Sequence, residues 1–104
     1  MEKTLIDLYI VPEGSRSAFL ERARAVQGFL KTLPGFVEGY LYEKTDGASR
    51  ANFVTTAVWK DEEAYENAKK AVSGEFLKLG FDRQQFFAAS GIAIERAVFE
   101  RFPY

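Results

Sequence analysis

Residues Ala51 to Tyr65 read Ala-Asn-Phe-Val-Thr-Thr-Ala-Val-Trp-Lys-Asp-Glu-Glu-Ala-Tyr, and their pattern changes at Trp59. Up to Trp59 the stretch is β-branched and aromatic (Phe53, Val54, Thr55, Thr56, Val58), which favours a strand because such side chains pack well on a pleated surface. Beyond it Asp61 is placed to cap a helix, and Glu62 and Glu63 suit the positive end of the helix dipole. The chain's only tryptophan therefore ends a strand, and Tyr65 lies just inside the helix that follows. Two polar-tipped aromatics at such a junction can line a pocket between helix and sheet, or serve as plain core.

Outward from this stretch the same periodicities organise the rest. Residues 4–11 are predicted as a first strand, with Leu5, Asp7, Tyr9 and Val11 on one face and Ile6, Leu8 and Ile10 on the other. Pro12-Glu13-Gly14 ends it. Over residues 15–33, Phe19, Ala23, Val26, Leu30 and Leu33 recur every three or four positions, the stripe of an amphipathic helix; Pro34-Gly35 stops it. Residues 36–45 read as a second strand, with Tyr40 and Tyr42 on the face of Phe36 and with Val37 and Leu41 on the other. Asp46-Gly47-Ala48-Ser49 is a turn cluster, so strands two and three form a hairpin with a longer loop.

The helix after Trp59 is predicted from Glu62 to about Ser73. Its stripe of Tyr65, Ala68 and Val72 continues to Phe76 and Leu79, with Gly74 as an interruption and Gly80 as a break. A short third helix is expected over 82–90, carrying Phe86 and Phe87. A last strand is expected over 92–102, with Ile94, Arg96, Val98 and Phe102 on one face and Ala93, Glu95, Ala97 and Phe99 on the other.

Composition narrows the function classes. The 104 residues are 47% hydrophobic, enough for a core within one domain spanning 1–104. A net charge of -1 with scattered Lys and Arg offers no footprint for nucleic acid or an anionic membrane surface. Cysteine and histidine are both absent, which removes disulfides, thiol nucleophiles, thiolate and imidazole metal ligands, and the commonest general base near neutral pH. No clustered Asp/Glu motif points to a carboxylate metal site. No long apolar run follows a basic segment at the start, so neither a signal peptide nor a membrane span is expected, and the expected location is cytoplasmic.

The element order is strand, helix, strand, strand, helix, strand. That is the split βαβ, ferredoxin-like α+β arrangement, an antiparallel sheet with helices on one face. Two amphipathic helices cover one face, yet the strands are apolar on both. The second face is expected to meet a partner, most simply a second copy across a two-fold axis, giving a dimeric α/β barrel. Such a homodimer interface would bury on the order of 1,600 Å² or more.

On Pro12-Glu13-Gly14 after the first strand, Leu33-Pro34-Gly35-Phe36 before the second, and Val58-Trp59-Lys60-Asp61-Glu62-Glu63-Ala64-Tyr65, the chain resembles the antibiotic biosynthesis monooxygenase-like family of the dimeric α/β-barrel group. The haem-degrading branch uses an Asn, a Trp and a haem-ligating His where this chain has Asp7, Ala68 and a residue near Lys78; with no histidine, haem degradation is not expected. The cofactor-independent branch oxidises phenolic or anthrone-like compounds to quinones. Its active site holds a Trp at the end of strand three and a Tyr six residues later, which Trp59 and Tyr65 match. That branch has an Asn four residues before the Trp, where this chain has Thr55; its own Asn52 lies seven before. A late helical Arg of that branch is replaced by something near Lys78.

The resemblance thus implies a cofactor-independent monooxygenase without metal, acting on a small aromatic molecule. Trp59 and Tyr65 are its expected catalytic donors. Asp7 interrupts an apolar strand face and is the acid–base candidate. Thr55, Asn52 and Lys78 are candidate substrate contacts. Plainer roles stand beside these: Asp7 pairing with Arg96 across neighbouring strands, Lys78 as a solvated helix residue, Asn52 as a hairpin residue, and Phe86-Phe87 as core or dimer contact. A non-catalytic ligand-binding or stress-related module is the alternative function, and a structural part of a larger assembly is a third.

Overall fold

A computed structural model describes residues 1–103. Phe53–Trp59 forms a strand, and Asp61 caps the helix after it, its Oδ1 accepting the Ala64 N–H at 2.8 Å. The elements in order are β1 (Lys3–Ile10), α1 (Arg16–Leu30), β2 (Phe36–Glu43), β3 (Phe53–Trp59), α2 (Glu62–Leu79), α3 (Arg83–Ser90) and β4 (Ala93–Phe99), with one 3-10 turn at Glu13–Ser15. The four strands make one antiparallel sheet in the order β2-β3-β1-β4. This is the ferredoxin-like α+β fold.

Register decides which side chains the helices cover. Asp7 pairs with Thr55 on one side and Arg96 on the other, and Tyr9 pairs with Phe53 and Ile94. Alternation along each strand then places Leu5, Asp7 and Tyr9 of β1 and Phe53, Thr55, Ala57 and Trp59 of β3 beneath the helices. The buried core falls into two clusters on this side. One gathers Tyr9, Val11, Phe19, Phe53 and Ile92; the other gathers Leu30, Ala57, Trp59, Ala64 and Ala68.

Four expectations about the elements are corrected. In β2 the register shifts between Phe36 and Glu38. The extra residue of the bulge reverses the alternation, so Phe36 turns to the helices while Tyr40 and Tyr42 face outward. Phe36 packs edge-on against Trp59, ring centroids 5.4 Å apart. The α2 helix runs through Gly74 to Leu79 and ends only at Gly80, whose φ of 66° is left-handed. A single helical glycine costs only about 1 kcal/mol, less than the packing of the following turn supplies. The α1 helix ends at Leu30, and residues 31–33 continue as hydrogen-bonded turns; Ser15, at its N-cap, makes no side-chain cap bond and donates Oγ–H to the Ser90 carbonyl at 2.6 Å. The β4 strand ends at Phe99, before Phe102.

The face away from the helices stays apolar and open. Leu8, Tyr40, Tyr42 and Phe99 are 36%, 52%, 52% and 49% exposed on it.

Gly35 fixes the approach of α2 to the start of β2. Its φ is +81°, and a Cβ there would lie 2.4 Å from the Cβ of Ala64. Gly35→Ala is expected to lower stability by about 3 kcal/mol, combining left-handed strain with overpacking. Gly74→Ala, with nothing within 4 Å of the added carbon, is expected to raise it by up to about 1 kcal/mol. Urea unfolding of the two variants checks both signs; equal effects would mean that the Gly35 contact carries no load.

Candidate active site

Between the covered side of the sheet and the helices lies a cavity of about 390 Å³. Ala57 of β3, Ala68 of α2 and Ala23 of α1 line it, so small side chains stand where larger ones would close the layer. Trp59 and Tyr65 both line it, as do Asp7, Tyr9 and Thr55. The strand-to-helix junction read from the sequence thus places its two aromatics on one cavity wall.

A polar cluster interrupts this apolar lining. Asp7 is only 4% exposed. Arg96 donates Nε–H to its Oδ1 and Nη2–H to its Oδ2, both at 2.8 Å, a bidentate pair across neighbouring strands. Tyr9 donates its O–H to Asp7 Oδ2 at 3.2 Å, and the Thr55 hydroxyl lies 3.2 Å from the same phenol oxygen. Since Tyr9 has one proton to give and Asp7 receives it, Thr55 donates to Tyr9. Burial first, and then the Asp7 charge, push the Tyr9 phenol above its ordinary range, so it remains a protonated donor near neutral pH. The hydrogen bonding that Arg96 donates to Asp7 is the main cause that raises Arg96.

Cations outnumber anions around the cavity. Arg22, Lys69, Arg83 and Arg96 line it, and among the described residues Asp7 is the only carboxylate that does. Arg22 stacks on Phe81, its guanidinium carbon 3.8 Å from the ring centroid, and Arg83 lies 4.9 Å over Phe87. Lys69 sits over Tyr65 and pairs with Glu66 at 3.2 Å. The buried Nη2 of Arg83 has no hydrogen-bond partner among the described residues. Burial, and next the charge of Arg96, pull Arg83 below the ordinary guanidinium value.

Two expected substrate contacts lie elsewhere. Asn52 clasps the end of β1: its Oδ1 accepts the Val11 N–H and its Nδ2 donates to the Val11 carbonyl, each at 2.8 Å. Both ends of the amide are used in holding the hairpin to β1, so the plainer role prevails. Lys78 is exposed and absent from the cavity wall. It follows Phe76 by two residues, and two residues rotate a helix about 200° away from the inward stripe. Sequence reasoning missed Arg22 and Arg83. Arg22 lies three residues after Phe19 and four before Val26, so the helical period itself was the available signal. Arg83 has no such signal, because its place depends on how α3 folds back over the cavity.

Among the described residues, no group of three or more His, Cys, Asp or Glu is placed to hold a metal ion, and no helix is long and apolar enough to cross a membrane.

The fold and the cavity together define a ferredoxin-like α+β protein with a pocket sized for a small molecule. The model of the antibiotic biosynthesis monooxygenase family matches residues 4–75, well over half of the sequence, and the chain belongs to that family. Among curated proteins nothing matches it. Among solved structures it is similar to SnoaB from Streptomyces nogalater, described as a cofactor-independent oxygenase, with a TM-score of 0.74 and 23% identity over 99% of this chain and 95% of that one. It is also similar to Rv0793 from Mycobacterium tuberculosis (TM-score 0.67, 15% identity, 100% and 98% covered). An ethyl tert-butyl ether d (ethd) family protein from Bacillus halodurans has a TM-score of 0.64 at 21% identity, with 98% and 100% covered. At these identities the likeness is one of fold.

Proposed function

We propose that the chain is a cofactor-independent monooxygenase that oxidises a small phenolic or anthrone-like aromatic substrate, working as a homodimer. The observation that carries this reading is that Trp59 and Tyr65 both line one largely apolar cavity. Its volume of about 390 Å³ lies within the range of roughly 300–1,000 Å³ usual for small-molecule sites.

Ground-state oxygen is a triplet and reacts slowly with closed-shell molecules. Without flavin or metal, the substrate itself must become electron-rich, which loss of a proton achieves. The anion of an anthrone gives one electron to O₂, the resulting radical pair joins as a ring peroxide anion, that anion takes up one proton in place of the one lost, and loss of water from the hydroperoxide leaves a carbonyl. One oxygen atom is retained in the quinone and the other departs as water, so atoms and electrons balance. The cavity supports this chemistry by gripping flat rings on its apolar walls and offering N–H and O–H donors of Trp59 and Tyr65 to negative charge on substrate oxygen. The exposed apolar sheet face bearing Leu8, Tyr40, Tyr42 and Phe99 supports the homodimer.

Oxygen uptake with a panel of anthrones and hydroquinones tests the reading. Wild type is expected to consume O₂, and Trp59→Phe, which keeps an aromatic ring but removes the N–H, is expected to slow it by about 10²-fold. No turnover on the panel, with wild type and Trp59→Phe alike, sinks it. A second reading, a binding module without chemistry, is favoured by one observation: Asp7, the acid–base candidate, has both oxygens engaged. Thermal stabilisation by these ligands without oxygen consumption supports that alternative.

A further inference from the structure

A site that oxidises a substrate anion must account for the proton, and among the described residues this cavity has no free base to take it. Histidine and cysteine are absent from the chain. On β1, Asp7 has both oxygens held by Arg96 of β4 and one also by Tyr9. Protonating Asp7 would break a buried bidentate pair. Tyr9 itself is kept in its protonated form by burial and by Asp7. From α2, Tyr65 presents a phenol and Lys69 an ammonium group paired with Glu66. From α1, Arg22 adds another cation, stacked on Phe81. The lining residues of β3, Thr55 among them, do not titrate.

Arg83 on α3 differs from the two cations that have acidic partners and, by its buried, unbonded Nη2, from Arg22, which is stacked on Phe81. Arg96 is neutralised by Asp7, and Lys69 by Glu66. Arg83 has no acidic partner among the described residues, its Nη2 makes no hydrogen bond, and it stands on the cavity wall. A guanidinium so placed remains charged at neutral pH, because the group is far too strong a base to lose its proton there. Tyr9 and the charge of Asp7 offset only part of its desolvation, so an arriving anion would offset more. We propose that Arg83 binds the substrate as its ring oxyanion, the proton having gone to bulk water, and that no side chain of the cavity acts as the base. The substrate class follows: an aromatic hydroxyl or enol acidic enough that a nearby cation suffices to ionise it, rather than a simple alcohol or hydrocarbon. This rests on the cavity being the substrate site, and it adds Arg83 as a residue in contact with the reacting oxyanion.

Alizarin tests the inference apart from catalysis. It is a dihydroxyanthraquinone whose colour reports the ionisation of its hydroxyl, and its central ring is already oxidised. Its absorbance is titrated against pH, free and with protein in excess. Bound alizarin is expected to ionise at least about 1 pH unit lower than free alizarin, a tenfold preference for the anion, as a cation within about 4–6 Å produces. Arg83→Gln is expected to abolish that difference, and Arg83→Lys to keep part of it, with unchanged far-UV circular dichroism in both. Bound alizarin that ionises at or above its free pH, an undiminished difference in Arg83→Gln, or no binding by wild type each overturns the inference. The wild-type titration decides the first and last of these even if the variants fail to fold. An anion preference that depends on Arg83 but comes without oxygen uptake on the anthrone panel overturns the oxygenase reading and leaves this one standing. Oxygen uptake with no such preference does the reverse.

Discussion

Asp7→Ala is expected to lower stability by about 2 kcal/mol, which for a domain of this size lowers the melting temperature by roughly 10 °C. Removing one partner of a buried ion pair usually costs about 3–5 kcal/mol, because the remaining charge stays desolvated. The smaller figure applies here because the side chain of Arg96 is 44% exposed, so water can take over part of the role of Asp7. Tyr9 adds to the loss, since its buried O–H would lose its acceptor. The double variant Asp7→Leu with Arg96→Met is expected to recover most of the stability, since it leaves neither charge unpaired. A double-mutant cycle by urea unfolding measures the coupling. Additive losses would show that the pair does not act as a unit, and would release Asp7 for the acid–base role that its position on an apolar strand face implied.

Leu8→Glu combined with Tyr42→Glu is expected to convert a dimer into a folded monomer. The two side chains flank Val54 on the open face of the sheet, Leu8 paired to it from β1 and Tyr42 from β2. Burying a large apolar side chain contributes about 1.5–3 kcal/mol, and a two-fold axis uses each position twice, so the dissociation constant should rise by at least about 10³-fold. Light scattering of wild type should give the mass of two protomers and of the variant that of one, with circular dichroism unchanged. A wild-type protein with the mass of one protomer removes the homodimer from the proposed function. It leaves the cavity intact, since the cavity lies on the other side of the sheet.

The element order was legible because its signals are local. Alternation in Thr4–Val11, the stripe from Phe19 to Leu33, and the capped junction at Asp61 each need only neighbours in sequence. Part of the candidate site was legible for the same reason. Trp59 and Tyr65 flank one short junction, so local geometry turns both toward the space under α2. The Asp7–Arg96 pairing was legible as one of two roles, because an acidic and a basic residue on apolar strand faces need each other if their strands are neighbours. The β2 faces were not legible, since a bulge of one residue leaves no mark in composition yet reverses every side chain beyond it. Asn52 was displaced from the site by two hydrogen bonds to Val11, a residue 41 positions away in sequence.

By itself, the sequence determined an α+β chain with the strand and helix order of its family, an aromatic pair at one strand end, and no histidine or cysteine for catalysis. Each of these is a matter of residue identity or of short-range period. Tertiary structure alone decided that Asp7 is occupied by Arg96 and Tyr9, that Lys78 faces outward, and that Arg83 stands on the cavity wall without an acidic partner. Charge balance inside a cavity is a sum over β1, β4 and all three helices, and no window of sequence contains them together.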